Sequence, residues 1–150
     1  MEHKITRPSF EEICMNLAYS ISKRSTCLRR TVGCVVTDPD YNQVYSWGYN
    51  GNARGLENAC DAPGQSGSCG CLHAEENAVI NNTALHTAPK HVFVTLMPCP
   101  ACCKRIINLQ NVQKVFFGES HKGDTGRKML AQVGISLIHY PLTSQAKDDT

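Results

Sequence analysis

The sequence predicts an α/β fold, with a central five-stranded mixed sheet between two layers of helices. Three observations support this three-layer α/β/α class. Helical spacing of apolar residues alternates with short strand-like runs through the second half of the chain. Two strand-like runs in the first half are separated by turn residues. The 150 residues are enough for one domain with its own core, so we expect a single domain over residues 1–150.

The first elements follow from local patterns. Phe10 to Lys23 has apolar residues at helical spacing, and Ser9 before it is a suitable N-cap, so this segment predicts the first helix. Val32 to Thr37 and Val44 to Tyr49 are strand-like, and residues 39–42, Pro-Asp-Tyr-Asn, have the composition of a turn. These runs therefore predict a β-hairpin.

Residues 50–71 lack any periodicity and contain five glycines, one proline and three cysteines. A loop of this length is expected to be functional or braced by a metal if it is ordered. We expect a metal-braced loop. The only bias toward low complexity lies within it, in the glycines and serines of residues 64–70.

Helix and strand signals alternate after this loop. Helices are predicted over His73 to Asn81, Cys99 to Asn108 and Thr125 to Val133, the last ended by Gly134. Strands are predicted over His91 to Thr95, Val112 to Phe117 and Ile135 to His139. The polar tail from Ser144 is expected to be loose.

Composition excludes several classes of protein. The net charge of +2 is too small for a dedicated nucleic-acid surface, so we do not expect a nucleic-acid partner. No apolar run approaches the roughly 20 residues that cross a bilayer, and the N-terminus lacks a signal pattern, so we expect a cytoplasmic protein without a membrane partner. In a reducing compartment, metal ligation explains nine cysteines better than a disulfide scaffold does.

The segments His73-Ala74-Glu75 and Pro98-Cys99-Pro100-Ala101-Cys102 predict a catalytic zinc site. His73, Cys99 and Cys102 supply three ligands, and a catalytic zinc keeps its fourth position open for water. The zinc lowers the pKa of that water from about 15.7 toward roughly 7. Glu75 is not a ligand and is placed to transfer protons. Either segment alone is weak, since a lone Cys-x-x-Cys is more often structural or redox-active, but the combination is specific.

The position of the Cys-x-x-Cys pair at a helix start supports this interpretation. The positive end of the helix dipole favours ionised thiolates, and Pro98 and Pro100 are suited to a helix entrance. Glu75 is therefore our candidate catalytic residue, and His73, Cys99 and Cys102 are the candidate ligands of the catalytic zinc.

A second set of cysteines falls in predicted loops: Cys27, Cys60, Cys69 and Cys71. Four thiolates make a closed structural zinc site, which would order the loop of residues 50–71. Alternatively, some of these cysteines are incidental, because the spacing Cys69-x-Cys71 is tighter than usual. Of the other three cysteines, Cys14 and Cys34 are expected in the core and Cys103 in a helix interior.

At these residues the chain resembles the cytidine deaminase superfamily, and within it the deoxycytidylate deaminases of bacteria and phages. The resemblance runs from about Phe10 to His139. Arg24-Ser25-Thr26-Cys27-Leu28-Arg29-Arg30-Thr31-Val32-Gly33 is similar to that family's Arg-Ser-x-Cys-x-Arg-x-x-Val-Gly segment, and Gly48-Tyr49-Asn50-Gly51 to its Gly-Tyr-Asn-Gly turn. The His-x-Glu and Pro-Cys-x-x-Cys signature of zinc nucleobase deaminases is also present.

The resemblance implies the cytidine deaminase-like fold and hydrolysis of deoxycytidylate (dCMP) to dUMP and ammonia, supplying dUMP for thymidylate synthesis. A zinc hydroxide would attack C4 of cytosine, and Glu75 would protonate N3 and then the departing ammonia. Asn50 would bind the sugar, and backbone amides near Ala74 and Pro98 would orient the base.

The resemblance further implies regulation and assembly. Many members bind deoxycytidine triphosphate (dCTP), with Mg²⁺, at a regulatory site near the Gly-Tyr-Asn-Gly turn, here Tyr49 and Gly51. Microbial members often hold a second zinc through cysteines matching Cys27 and Cys60. Members commonly form homo-hexamers, and a phage-encoded protein would act in the host cytoplasm.

Contacts to the sugar-phosphate remain open. The basic cluster Lys23, Arg24, Arg29 and Arg30 is either a solvated surface or a pocket for one phosphate group. The chain has Cys34 where the family usually has Ala, and His121 where it usually has an aromatic residue. His121 is either a substrate contact or a surface residue. Lys122 and Arg127 are further candidate phosphate ligands.

Three other functions compete with dCMP deamination. A polynucleotide deaminase acting on tRNA or single-stranded DNA shares the chemistry, but a basic tail is missing. A zinc-stabilised binding module would not need Glu75 or an open coordination position. A nucleoside deaminase is disfavoured only weakly, by the basic cluster.

Overall fold

A computed structural model describes residues 5–65 and 69–142 of the chain. The tail predicted to be loose, from Ser144, lies outside the described residues, as does part of the glycine- and serine-rich stretch. The elements in chain order are α1 (Phe10–Ser22), β1 (Gly33–Thr37), β2 (Val44–Tyr49), α2 (Ala74–Ile80), β3 (Lys90–Leu96), α3 (Pro100–Leu109), β4 (Val112–Glu119), α4 (Thr125–Gln132) and β5 (Ser136–His139).

The five strands form one mixed sheet in the order β2-β1-β3-β4-β5. β1 pairs antiparallel with both β2 and β3, whereas β3 pairs parallel with β4 and β4 with β5. The parallel half results from the crossover helices α3 and α4, which return the chain to the same end of the sheet. The predicted hairpin and five-stranded mixed sheet are confirmed.

Helices cover both faces of the sheet. Alternate β1 residues point to opposite sides, so Val35 packs with Met15 and Ala18 of α1, while Cys34 and Val36 lie in the larger core cluster with α2, α3 and α4. β1 is buried along its whole length. A strand covered on both faces is a continuous apolar run rather than an alternating one. The predicted three-layer class is confirmed.

Local signals explain the helix starts. The Ser9 hydroxyl accepts a hydrogen bond from the Glu12 amide at 3.1 Å, as expected for an N-cap. His73 is the N-cap of α2, and the Glu76 side chain accepts a hydrogen bond from its amide. Cys99 is the N-cap of α3, with Pro100 in the first turn. Two predicted zinc ligands therefore occupy helix N-caps.

The long loop is closed at its base. Gly51 and Leu72 form an isolated antiparallel bridge, with N–H···O distances of 3.0 and 2.8 Å. Within the loop Cys60 is buried, although few of its neighbours are. The loop therefore leaves and re-enters the fold at one point, beside the start of α2.

None of the helices in residues 5–65 and 69–142 is long and apolar enough to cross a membrane.

Candidate active site and metal centres

The three predicted ligands of the catalytic zinc meet where α2 and α3 begin. Nδ1 of His73 lies 3.6 Å from Sγ of Cys99 and 3.3 Å from Sγ of Cys102, and the three ligand atoms are all within 4.8 Å of one another. Tetrahedral zinc with bonds of about 2.3 Å to sulfur and 2.0–2.1 Å to nitrogen places such atoms about 3.6 Å apart. The donor set and its spacing therefore fit zinc.

The electrostatics of the two helix starts favour a thiolate. The Cys102 thiol and His73 both hydrogen bond to Cys99, and these contacts lower the pKa of Cys99 to about 3. The hydrogen bond to Cys99, and secondly burial, raise the pKa of Cys102. The hydrogen bond to Cys99 also raises the pKa of His73. Binding of a metal cation by these residues would therefore release protons from the thiols and from His73.

Glu75 occupies the first turn of α2 and is 5 % exposed. Burial raises the pKa of this carboxyl to about 7, although its own backbone amide and the nearby His73 counteract part of that effect. A carboxyl with a pKa near neutrality can both accept and release a proton. It lies beside the ligand cluster because it follows His73 by two residues.

These groups line a cavity of about 160 Å³. His73, Ala74, Glu75 and Cys99 contribute one part of its wall. Apolar side chains contribute another, namely Val32, Leu96 and Met97. A small cavity with apolar walls and few polar groups suits one flat ring.

Asn50 lies in the cavity wall and is 8 % exposed. Its Oδ1 accepts a hydrogen bond from the Val32 amide at 2.8 Å, and its Nδ2 donates one to the Arg30 carbonyl at 2.6 Å. The carboxamide thus fixes the segment before β1. One N–H and one oxygen lone pair remain for a bound molecule.

The second cysteine set is also brought together. Sγ of Cys27 lies 3.8 Å from Sγ of Cys60 and 3.9 Å from Sγ of Cys69, and Sγ of Cys71 lies 3.6 Å from that of Cys60. Sulfur ligands of a tetrahedral zinc are separated by about 3.8 Å when the bonds are about 2.3 Å. The four side chains therefore fit a closed metal site, despite the tight Cys69-x-Cys71 spacing.

The Cys27 thiol has a lowered pKa. Burial alone would raise its pKa, but hydrogen bonds from the backbone amides of Arg30 and Arg29 lower it to about 7. Burial raises the pKa of Cys71. Cys27, Cys69 and Cys71 also line the cavity that contains Glu75, so the two clusters share a wall.

Of the other residues predicted for substrate binding, one lines the cavity and three do not. His121 lines it, and its Nδ1 lies 2.8 Å from the Lys122 carbonyl oxygen. Pro98 lies beneath α3, where its carbonyl accepts a hydrogen bond from the Cys103 thiol. Arg24 stacks over the Tyr49 ring, 5.9 Å from its centre. Arg24, Pro98 and Lys122 are not among the described residues lining the cavity.

Tyr49 and Gly51, predicted to belong to a regulatory site, line a second cavity of about 510 Å³. Polar side chains on its wall include Asn52, Arg54 and Asn77. Cys14, Cys34 and Cys103 are buried, as predicted. Cys34 lies in the sheet core, and the described lining of the active-site cavity does not include it.

Five of the lining residues were not predicted as site residues: Arg29, Arg30, Val32, Leu96 and Met97. Arg29 and Arg30 belong to the basic cluster, but the sequence does not distinguish them from Lys23 and Arg24 as phosphate-binding residues. The apolar residues Val32, Leu96 and Met97 lie at strand ends. Their patterns resemble those of ordinary core residues, so the sequence has no signal that separates them.

Comparison with known proteins identifies the family. Residues 8–119 match the model described as the cytidine and deoxycytidylate deaminase zinc-binding region. The chain belongs to this family. The matched region contains the three ligands His73, Cys99 and Cys102, as well as Glu75. The predicted family is confirmed.

Relatives with assigned names share this region. A deoxycytidylate deaminase of Schizosaccharomyces pombe is 33% identical over 147 residues, covering 89% of this chain and 45% of the relative. One from Saccharomyces cerevisiae is 29% identical, covering 95% and 48%. The chain thus spans about half the length of these two relatives.

Solved structures confirm the fold. The dCMP deaminase of cyanophage S-TIM5, in complex with dCMP and dUMP, superposes with a TM-score of 0.78 at 28% identity, covering 91% of this chain and 100% of that one. A Thermotoga maritima deaminase/reductase superposes with a TM-score of 0.67 at 20% identity, covering 93% and 38%, which shows the shared fold alone.

Proposed function

We propose that this protein is a zinc-dependent hydrolase that converts dCMP and water to dUMP and ammonia. The observation that carries the proposal is the position of Glu75, buried at a ring-sized cavity beside a three-ligand cluster. A metal site with a purely structural role does not require a buried carboxyl that exchanges protons beside its ligands. Two of the named relatives are deoxycytidylate deaminases, and a similar structure holds dCMP and dUMP.

Zinc held by His73, Cys99 and Cys102 would supply a water whose pKa is lowered from about 15.7 to about 7. Glu75 accepts a proton from water and delivers it to N3 of the cytosine ring. The water oxygen would bond to C4 as this happens. Glu75 would then move the remaining proton of that oxygen to the exocyclic amine, so that C4=O forms, the C4–N bond breaks and ammonia leaves. The pKa of about 7 for Glu75 suits both directions of transfer.

The cavity walls would position the nucleoside. The apolar side chains of Val32, Leu96 and Met97 exclude water from the faces of the ring. The free donor and acceptor of Asn50 are available to the sugar. The Ala74 backbone, in the cavity wall at the start of α2, would contact the edge of the base.

The phosphate would bind at the cationic side of the cavity. Arg29, Arg30 and the half-buried His121 all line it. Guanidinium groups bind phosphate oxygens through paired N–H donors. These side chains favour a nucleotide over a nucleoside. Arg24 and Lys122 do not belong to the described cavity lining. We propose that their positive charges attract the phosphate group from a longer distance.

We propose that the four-cysteine cluster holds a second zinc with a structural role. Cys27 belongs to the segment before β1, and the other three belong to the loop of residues 51–72. A metal joining them would fix the loop against the cavity, since this loop buries little apolar surface of its own.

Further proposals concern regulation and assembly. The second cavity, with Tyr49 and Gly51 in its wall, is large enough for a nucleotide such as dCTP with Mg²⁺.

Trp47 and Ile80 also line this cavity and are 48% and 70% exposed. Such apolar exposure supports a homo-oligomer, for which we propose a hexamer. We propose a cytoplasmic location, where thiolate ligands stay reduced.

Ammonia release tests the proposed function. The zinc-loaded protein is incubated with dCMP, deoxycytidine, dCTP or a cytosine-containing oligonucleotide, and zinc per chain is measured on the same sample. We expect turnover of dCMP above all other substrates. Turnover of the oligonucleotide alone would identify a polynucleotide deaminase, and no turnover of any substrate would favour a binding module.

A further inference from the structure

An ion pair joins Arg30, in the wall of the active-site cavity, to the end of β4. Nη2 of Arg30 contacts Oε2 of Glu119, although the residues are 89 positions apart. Arg30 lines the cavity, and Glu119 is the last residue of β4. Both side chains are about half exposed, at 50% and 44%. The pair therefore marks the edge where the cavity wall meets solvent, which we call the mouth of the cavity.

The carboxylate of Glu119 stands on a rigid base. Its backbone pairs with Leu96 of β3, and its carbonyl accepts a hydrogen bond from the Met97 amide at 2.8 Å. The preceding Gly118 lies against α1, where an added Cβ would come within 2.4 Å of the Tyr19 hydroxyl oxygen. The end of β4 is therefore fixed on both sides, and Glu119 cannot move far from the mouth.

Arg30 is held at two points. The Asn50 side chain donates a hydrogen bond to its carbonyl at 2.6 Å, and Glu119 contacts one nitrogen of its guanidinium. A guanidinium has five N–H donors, so most remain free for a phosphate group. Glu119 thus orients Arg30 without blocking it.

The guanidinium N–H donors of Arg30 and Arg29 at the mouth are enough for one phosphate group. Glu119 cancels the charge of Arg30, and within residues 5–65 and 69–142 Arg29 forms no ion pair. A phosphate monoester carries about −1.5 to −2 charges at neutral pH. One such group can be shared between Arg30 and Arg29. A second and third phosphate would bring more negative charge toward the fixed carboxylate.

We propose that Glu119 is a specificity-determining residue that restricts the site to nucleoside monophosphates. It positions Arg30 for the first phosphate and repels the β- and γ-phosphates of di- and triphosphates. Discrimination by a built-in repulsive charge is a general route to specificity. This inference rests on the proposed nucleotide substrate, and it concerns the number of phosphates rather than the reaction.

The test compares binding of the products deoxyuridine, dUMP and dUTP to the zinc-loaded protein by calorimetry. The variants are Glu119→Gln, the conservative Glu119→Asp and the exposed loop control Glu57→Gln. We expect Glu119→Gln to reduce the dUMP-over-dUTP preference by about fivefold or more, with deoxyuridine binding unchanged. Glu119→Asp and Glu57→Gln should retain most of the preference.

Two results would overturn the inference. One is an unchanged dUMP-over-dUTP ratio in Glu119→Gln. The other is an equal loss for all three ligands, which would mean that the pair only supports the fold. Because the ligands are products, the assay needs no turnover. A protein that binds dUMP selectively but releases no ammonia would refute the proposed reaction and leave this inference standing.

Discussion

Sγ of Cys102, in the first turn of α3, lies 3.3 Å from Nδ1 of His73, the N-cap of α2. The two residues are 29 positions apart, and the contact exists only because the two helices begin at the same end of the sheet. The candidate catalytic centre therefore depends on how α2 and α3 are placed. Any change that moves either helix start should disturb the ligand cluster.

Gly48 of β2 supports α2 directly. A Cβ at this position would lie 2.3 Å from the Ala74 carbonyl oxygen and 2.5 Å from the Ala78 amide nitrogen. Gly48→Ala should therefore push α2 away and destabilise the protein by about 2 kcal/mol. Activity should fall by about 100-fold, because misplacement by about 1 Å has that effect at a catalytic site.

Gly51→Ala is the matched control for Gly48→Ala. No described atom comes within 4 Å of a Cβ built at Gly51, so the substitution should change the urea midpoint little. Urea unfolding and ammonia release measure both effects. Equal behaviour of the two variants would contradict the role of Gly48.

Lys90 is fully buried, and its ammonium group donates hydrogen bonds to backbone carbonyls of neighbouring loops. Nζ donates to the carbonyl oxygens of Leu85, Ala88 and Gln110 at 2.9, 2.7 and 3.0 Å. Lys90→Met leaves these acceptors without a donor and should destabilise the protein by about 3 kcal/mol. The exposed Lys104→Met should change stability by less than about 0.5 kcal/mol. Chemical denaturation measures the free energy of unfolding of both variants. Equal stability of the two would contradict the proposed role of Lys90 in holding these carbonyls.

Much of the fold was predictable, since it follows from local patterns. The hairpin, the order of elements and the helices were indicated by periodicity and turn residues, and the predicted ends differ from the observed ones by a few residues. The position of Lys90 was not predictable. A lysine before an apolar run usually marks a solvent-exposed strand end, and its burial depends on carbonyls from two separate loops.

The site was predictable where its chemistry has a fixed spacing. His73, Cys99 and Cys102 were selected because zinc ligands occur in recognisable motifs, and Glu75 because it follows His73 by two residues. The structure brings these residues together. The cavity mouth was not, because Arg30 meets Glu119 across 89 positions and surface charges have no characteristic spacing. For the same reason, the sequence could not rank Arg24 below Arg30 as a cavity residue.

His91 should make stability depend on pH. It is 4% exposed, with Nδ1 3.1 Å from the Tyr41 hydroxyl. Burial, and secondly the charge of Lys114, lower its pKa below the usual 6.5. Below pH 6.5 the unfolded chain therefore binds more protons than the folded protein. The stability from His91 is fully present above pH 6.5 and is lost as the pH falls toward its folded-state pKa.

The pH effect can be measured by urea unfolding at pH 8 and pH 5.5. The loss attributable to His91 is at most about 1.4 kcal/mol for each pH unit between the two pKa values. His91→Asn should reduce the difference between the two pH values, whereas the exposed His86→Asn should retain it. An unchanged difference in His91→Asn would show that other groups cause the pH dependence.

Cys60 should be required for the second metal. It is buried, and it contacts both Cys27 and Cys71. Cys60→Ser should lower the zinc content from about two to about one per chain. Residues 51–72 should then be cleaved faster by a protease. Cys14→Ser, in the core under α1, should retain both zincs. Equal zinc content in both variants would contradict the four-cysteine site.

Glu75→Gln, measured as zinc content and ammonia release from dCMP on one sample, tests the proposed catalytic role of Glu75. We expect unchanged zinc content and a loss of turnover of about a thousandfold or more, because Glu75 transfers protons and is not a ligand. Glu76→Gln, on the next residue, should stay near wild type, since glutamine also caps the His73 amide. Retained turnover in Glu75→Gln would contradict the account.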